Sequence, residues 1–148
     1  ASLIANSSRA AGVLSGCNEI QLDSLYQFGR QLGLAFQVVD DILDFTGSDQ
    51  QLGKPAASDL ASGYLTAPTF YAMEEQPGLK PLIQREFSGE TDLQDALAMV
   101  RSSRAIERSR ELAETFARES RESLAWLPES DCKRALLELP DFVLSRLY

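Results

Sequence analysis

The sequence has 148 residues, 44% hydrophobic and 24% charged, with a net charge of −8 and no histidine. That is enough chain to bury a core as one domain or part of one. The acidic balance argues against a nucleic-acid partner, which needs a basic face, and the missing histidine excludes Ser-His-Asp, Cys-His and HExxH chemistry. No run approaches the ~20 consecutive apolar residues of a membrane span. Cys17 and Cys132 lack CxxC spacing and read as reduced, structural thiols of a cytosol-like compartment. The chain starts at Ala1 and its methionines, Met73 and Met99, are internal, so a piece of a longer protein is expected.

Helical punctuation runs the length of the chain, and no segment alternates apolar and polar residues with period two. A small-residue helix is predicted from Ala1 to Ser15, ended by Gly16. A long helix follows from about Ile20 to Phe45, with Gly47 as its stop. Ser48 to Gly63 reads as loop. Thr66 is placed as an N-cap with Pro68 in the first turn, opening a helix that Pro77-Gly78 closes. Beyond a short segment at Leu79–Phe87, Thr91 and Gln94 have capping-box spacing. That helix is predicted to break near Ser102-Ser103. Ile106 to Leu127 forms the next, ended by Pro128, and Ser130 starts a last helix bent or broken at Pro140. The fold class is all-α.

The long helix carries the chemistry. Leu25, Gly29, Leu32, Phe36, Val39 and Leu43 form one seam, and Leu34, Ala35, Val38 and Ile42 cover most of the remaining circumference. Such a helix belongs in an interior. Yet Gln37, Asp40, Asp41 and Asp44 stand at i, i+3, i+4 and i+7 and share a face. Gly33 lies one turn above, leaving room beside the backbone. No Lys or Arg occurs between Arg30 and Lys54. Buried carboxylates without a counter-charge are costly. That cost is avoided where they line a wet cavity and bind a hard cation such as Mg2+ through oxygen. An isolated DDxxD also marks many ordinary acidic patches; the apolar flanks Phe36, Val38, Val39 and Ile42 set this one apart. Lys54, ten residues beyond Asp44 in Gly53-Lys54-Pro55, is a point charge suited to phosphate oxygens.

The run Gly33-Leu-Ala-Phe-Gln37-Val-Val-Asp40-Asp41-Ile-Leu-Asp44, followed by Gly53-Lys54 and Asp59, resembles the second aspartate-rich region of trans-prenyl diphosphate synthases. The resemblance extends over the whole chain and is nearest to long-chain, solanesyl-type members of cyanobacteria and plastids. It implies that residues 1–148 are a single partial domain, the C-terminal part of the isoprenoid-synthase helical bundle. It also implies Asp40, Asp41 and Asp44 as magnesium-binding, catalytic carboxylates, Gln37 facing the allylic substrate, and Lys54 holding its diphosphate. The implied reaction is head-to-tail condensation of isopentenyl diphosphate with an allylic prenyl diphosphate after metal-assisted ionisation, in a homodimer of the cytoplasm or plastid stroma.

Three features depart from the family pattern. This chain has no second DDxx(xx)D motif, which family members carry on an earlier helix. Their Lys-Thr pair would fall just before Ala1. Tyr64 in Gly63-Tyr64-Leu65-Thr66 stands where many members have a diphosphate-binding lysine. The chain alone is therefore expected to be inactive. Rival readings are a terpene cyclase, a non-catalytic partner subunit, and a helical scaffold whose Asp stripe meets Arg101 or Arg104.

Overall fold

The computed structural model describes residues 1–47 and 57–148, which form helices and turns with no strand among them. The chain divides into two compact units, one of Ala1–Val39 with Leu112–Tyr148 and one of Asp40–Glu111.

In the first unit, α1 (Ser2–Leu14) lies against the leading part of α2 (Glu19–Thr46). Their approach is close because glycines face it. A Cβ at Gly29 would stand 2.6 Å from the Ile4 carbonyl oxygen and 2.8 Å from Ala5 Cα, and one at Gly33 would stand 2.5 Å from Ala1 Cα. The space expected beside Gly33 is thus filled by the backbone at the start of α1. Gly16, at φ 73°, ends α1 in a left-handed turn. The Cys17 N–H reaches the Gly12 carbonyl and the Gly16 N–H reaches Val13, which are the two bonds of a Schellman motif.

Asn18 then opens α2. Its side-chain oxygen accepts from the Gln21 N–H, and Gln21 Oε1 accepts from the Asn18 N–H, each at 3.0 Å. This reciprocal capping box starts the helix slightly ahead of the expected Ile20. Arg9 on α1 pairs with Glu19 at 3.0 Å and with Asp23 at 2.5 Å. Ser120 Oγ donates to the Phe28 carbonyl at 3.1 Å, and Gln31 Nε2 to Glu119 Oε2 at 2.7 Å. These tie the later part of α7 (Ala105–Glu122) to α2. The last helix, α8 (Asp131–Ser145), is capped by Ser130, whose Oγ accepts from the Lys133 N–H. Pro140 is buried within α8 and does not break it. One missing backbone donor is tolerated where the surrounding turns hold.

The second unit takes in α3 (Ser58–Ala61), α4 (Ala67–Glu75), α5 (Leu79–Gln84), α6 (Asp92–Ser102) and the start of α7. Phe45, Leu60, Leu79, Leu82 and Val100 form its core, with alanines 57, 72, 96 and 105 letting the helices close on one another. Burying side chains of the Leu and Phe class contributes about 1.5–3 kcal/mol each.

Two expected caps fail here. Thr66 occupies the N-cap position of α4, with Pro68 in the first turn, but its side chain makes no cap bond. Thr91 precedes α6 without capping it; its hydroxyl goes to Asp95 Oδ2 instead. The α6 start is organised by Asp92, 3% exposed, which accepts from Arg85 Nε, Arg85 Nη2 and the Gly89 N–H. These charge-assisted bonds brace the turn that leads into α6, and none of the three goes to a first-turn N–H of that helix. Ser103 marks the expected break, its Oγ accepting from the Ala105 N–H at 3.2 Å. α7 ends at Glu122, short of the expected Leu127, and residues 123–127 continue as turns. Both cysteines are free thiols.

Candidate metal and diphosphate site

The three motif carboxylates occupy the last turns of α2, within the second unit. Asp40 is half-buried, whereas Asp41 is 7% and Asp44 2% exposed. A helix C-terminus carries the negative end of the backbone dipole, which disfavours carboxylates. Their placement there therefore calls for donors or a cation from outside the helix.

Asp44 receives donors from the chain that follows. Its Oδ1 accepts from Ser58 Oγ at 3.0 Å and its Oδ2 from the Asp59 backbone N–H at 3.1 Å. Its own carbonyl accepts from the Ala57 N–H at 2.7 Å. The next carbonyl, that of Phe45, accepts from Arg101 Nε at 3.1 Å and Nη2 at 2.9 Å. A guanidinium on the last carbonyls of a helix complements both their unpaired lone pairs and the dipole. Arg101 therefore caps α2. Arg104, the other arginine of the scaffold reading, pairs with Glu107 at 2.9 Å and gives its backbone N–H to Glu75 Oε2.

Gln37 sits exposed on α2, in the first unit. Phe36 beside it lies under the Arg146 guanidinium, 4.9 Å from the ring centroid, a cation–π contact. Gly53, Lys54 and Pro55 lie outside the described residues. Ser58 and Arg101 are the residues that periodicity misses as parts of this region. Ser58-Asp59 reads as loop in the sequence, and nothing in the spacing of Arg101 points back to Phe45.

The donor set suits a hard cation. It offers carboxylate oxygens only, without nitrogen or sulfur. Among the described residues, no group of three or more acidic, histidine or cysteine side chains is gathered as a ready-made metal centre. What α2 offers fits an ion that keeps most of its waters and takes one or two carboxylates, as Mg2+ does, rather than an ion enclosed by protein. No described helix is long and apolar enough to cross a membrane.

Known proteins resemble this chain in sequence and fold. The family model for polyprenyl synthetase matches residues 1–100. A prenyl transferase of Synechocystis sp. is 54% identical over 148 residues, covering 100% of this chain and 46% of its own length. A chloroplastic solanesyl-diphosphate synthase 2 of Oryza sativa is 44% identical over 147 residues, covering 99% of this chain and 36% of its own. Among solved structures, a polyprenyl synthase from Caulobacter crescentus complexed with calcium and isoprenyl diphosphate superposes with a TM-score of 0.84 at 34% identity. That match covers 97% of this chain and 45% of the other. The chain thus spans less than half the length of these relatives. The all-helical fold, the acidic stripe at the end of α2 and the family match across two thirds of the sequence agree, and the chain belongs to the polyprenyl synthetase family.

Proposed function

We propose that this chain is a partial isoprenoid-synthase domain that supplies the second aspartate-rich half of a polyprenyl-elongating transferase. The carrying observation is the set of carboxylates at the end of α2, two of them buried, on a stretch with no lysine or arginine from 31 to 53. Membership of the polyprenyl synthetase family supports the same reading. Asp40, Asp41 and Asp44 form the metal-facing side, with Mg2+ as the working ion. A calcium-bound relative supports a divalent hard cation of some kind. When bound there, such an ion neutralises the diphosphate that leaves the allylic substrate. Gln37 faces that substrate and Lys54 holds its diphosphate. The substrates are isopentenyl diphosphate and an allylic prenyl diphosphate, and the assembly is a homodimer. Its compartment is the cytoplasm or a plastid stroma, the latter supported by the chloroplastic name of the rice relative.

The test is a product assay with isopentenyl diphosphate and an allylic primer, run on the chain alone and on the chain joined to a family half carrying the first aspartate-rich motif. Chain elongation in the joined protein only, consuming both substrates, is expected. A product formed from the allylic substrate by itself would instead mean a cyclase, and elongation by the chain alone would contradict the half-site reading.

A further inference from the structure

We infer that the second unit carries a further binding site, for a small organic cation with an apolar body, in a pocket of about 400 Å3 between the ends of α3 and α5. None of Asp40, Asp41 and Asp44 lines it, so the inference stands apart from the metal reading. The volume is that of a small-molecule cleft. Leu65, Ile83 and Phe87 give it apolar walls, and each of them is also packed against the core of the second unit. Ser62, Gly63 and Glu86 supply the polar part of the lining.

The chain builds both ends of the pocket in the same way. After α3 the Gly63 N–H reaches the Leu60 carbonyl and the Tyr64 N–H the Asp59 carbonyl, each at 2.9 Å. After α5 the Glu86 N–H reaches the Ile83 carbonyl at 2.9 Å and the Phe87 N–H the Leu82 carbonyl at 3.1 Å. Each pair is that of a Schellman motif, whose turning residue is usually glycine. Gly63 takes that place after α3 with φ 82°, but Glu86 takes it after α5 with φ 54°, and Phe87 follows at φ 53°. Two successive left-handed residues with side chains are costly, and strain of this kind gathers at ligand clamps. Here the turn sets a carboxylate and an aromatic ring in the lining of one pocket.

The charge of that lining selects the ligand. It holds no lysine or arginine among the described residues, and the neighbouring Arg85 is engaged by Asp92 at 2.5 Å. Helix C-termini present carbonyl oxygens and favour cations. Ser62 Oγ donates to the Ser58 carbonyl at 2.8 Å, so towards a ligand its oxygen is an acceptor. Glu86 pairs with the charged head of the ligand, the Phe87 ring offers a face that attracts cations, and Leu65 and Ile83 take the apolar body. An anion meets only acceptors there.

The test titrates phenethylamine, and separately phenethyl alcohol, into the chain as it stands and follows backbone amide shifts. The two probes share an apolar body and differ in charge. Saturable shifts at residues 61–65 and 83–87 are expected from both, with the amine bound about threefold tighter or more, as fits an ion pair at a part-exposed site. Glu86→Gln should erase that preference and leave the affinity for the alcohol unchanged. Glu86→Gly, which removes the carboxylate and suits the left-handed turn, should erase it as well and serves if the first variant does not fold. Equal affinity for the two probes in the unaltered chain would overturn the inference, as would a preference that survives the loss of the carboxylate. Shifts confined to the end of α2, or none that saturate, would overturn it too.

Discussion

The guanidinium of Arg101 donates twice to the carbonyl oxygen of Phe45, a residue with no exposed surface, and so ends α2 from a position 56 residues further along the chain. A charge-assisted bond to a carbonyl contributes about 1.5–3 kcal/mol. Leaving a buried acceptor bare costs a comparable amount.

Arg101→Ala is therefore expected to destabilise the protein by about 2 kcal/mol. Arg101→Lys should recover only part of this, since a single ammonium cannot reproduce the fork of Nε and Nη2. Urea denaturation of the three proteins measures both, and an unchanged midpoint in Arg101→Ala would remove the cap from the account.

The Arg85–Asp92 pair predicts a pH dependence. Two donors from Arg85 and the Gly89 N–H hold the Asp92 carboxyl below its usual range. An acid whose folded pKa is depressed adds stability above its unfolded value, near ~3.9. That stability is lost as the pH falls through the lower folded value. Thermal melts of wild type and Asp92→Asn should therefore differ above pH 5 and converge as the pH drops below about 4. A gap that does not narrow at all as the pH falls below about 4 would mean that packing, and not the charge, is what Asp92 contributes.

Close approach of α1 and α2 gives a third expectation. Gly29→Ala puts a methyl group 2.6 Å from the Ile4 carbonyl oxygen, and overpacking of this order costs about 1–3 kcal/mol. At Gly63 a methyl group would meet nothing within 4 Å, but φ is 82°. Gly63→Ala should therefore cost about 1–2 kcal/mol through backbone strain alone. Only the Gly29 variant should show perturbed amide shifts for residues 4–8.

Helix caps offer a direct comparison between what a sequence suggests and what the fold uses. Ser130→Ala should cost about 1 kcal/mol, because its oxygen accepts from the Lys133 N–H. Thr66→Ala and Thr91→Ala should cost little through capping, since neither side chain makes a cap bond. Equal losses at all three positions would be inconsistent with the bonding seen here.

These caps also show where a linear reading reaches its limit. The all-helical class, the stop at Gly16, the break at Ser103, the cap at Ser130 and the burial of Val38, Val39 and Ile42 on α2 are legible, because each depends on residues within a turn or two, whereas Phe36 of the same expected seam is 42% exposed. Thr66 and Thr91 have the right chemistry for a cap at the right place. Yet the Thr91 hydroxyl goes to Asp95, and the neighbouring Asp92 is engaged by an arginine seven residues away, bonds that cap spacing does not display. Ser58 and Arg101 are hidden for a similar reason: their partners are Asp44 and Phe45, 14 and 56 residues distant. Pro140 resembles a breaker because its cost is local, while the packing that offsets it is not. The acidic stripe itself is visible as a pattern of four positions. The different burial of Asp40, Asp41 and Asp44 is not, since it depends on chain beyond the helix, as at Asp44, which takes donors from residues 58 and 59.

The most direct test of the central claim is calorimetric titration of an allylic diphosphate into this chain, with and without Mg2+, for wild type and Asp40→Ala. Binding that requires Mg2+ in wild type and is weakened at least tenfold in Asp40→Ala is the predicted result. Equal binding by the two proteins, or binding indifferent to Mg2+, would contradict the assignment of a metal-dependent diphosphate site to the end of α2.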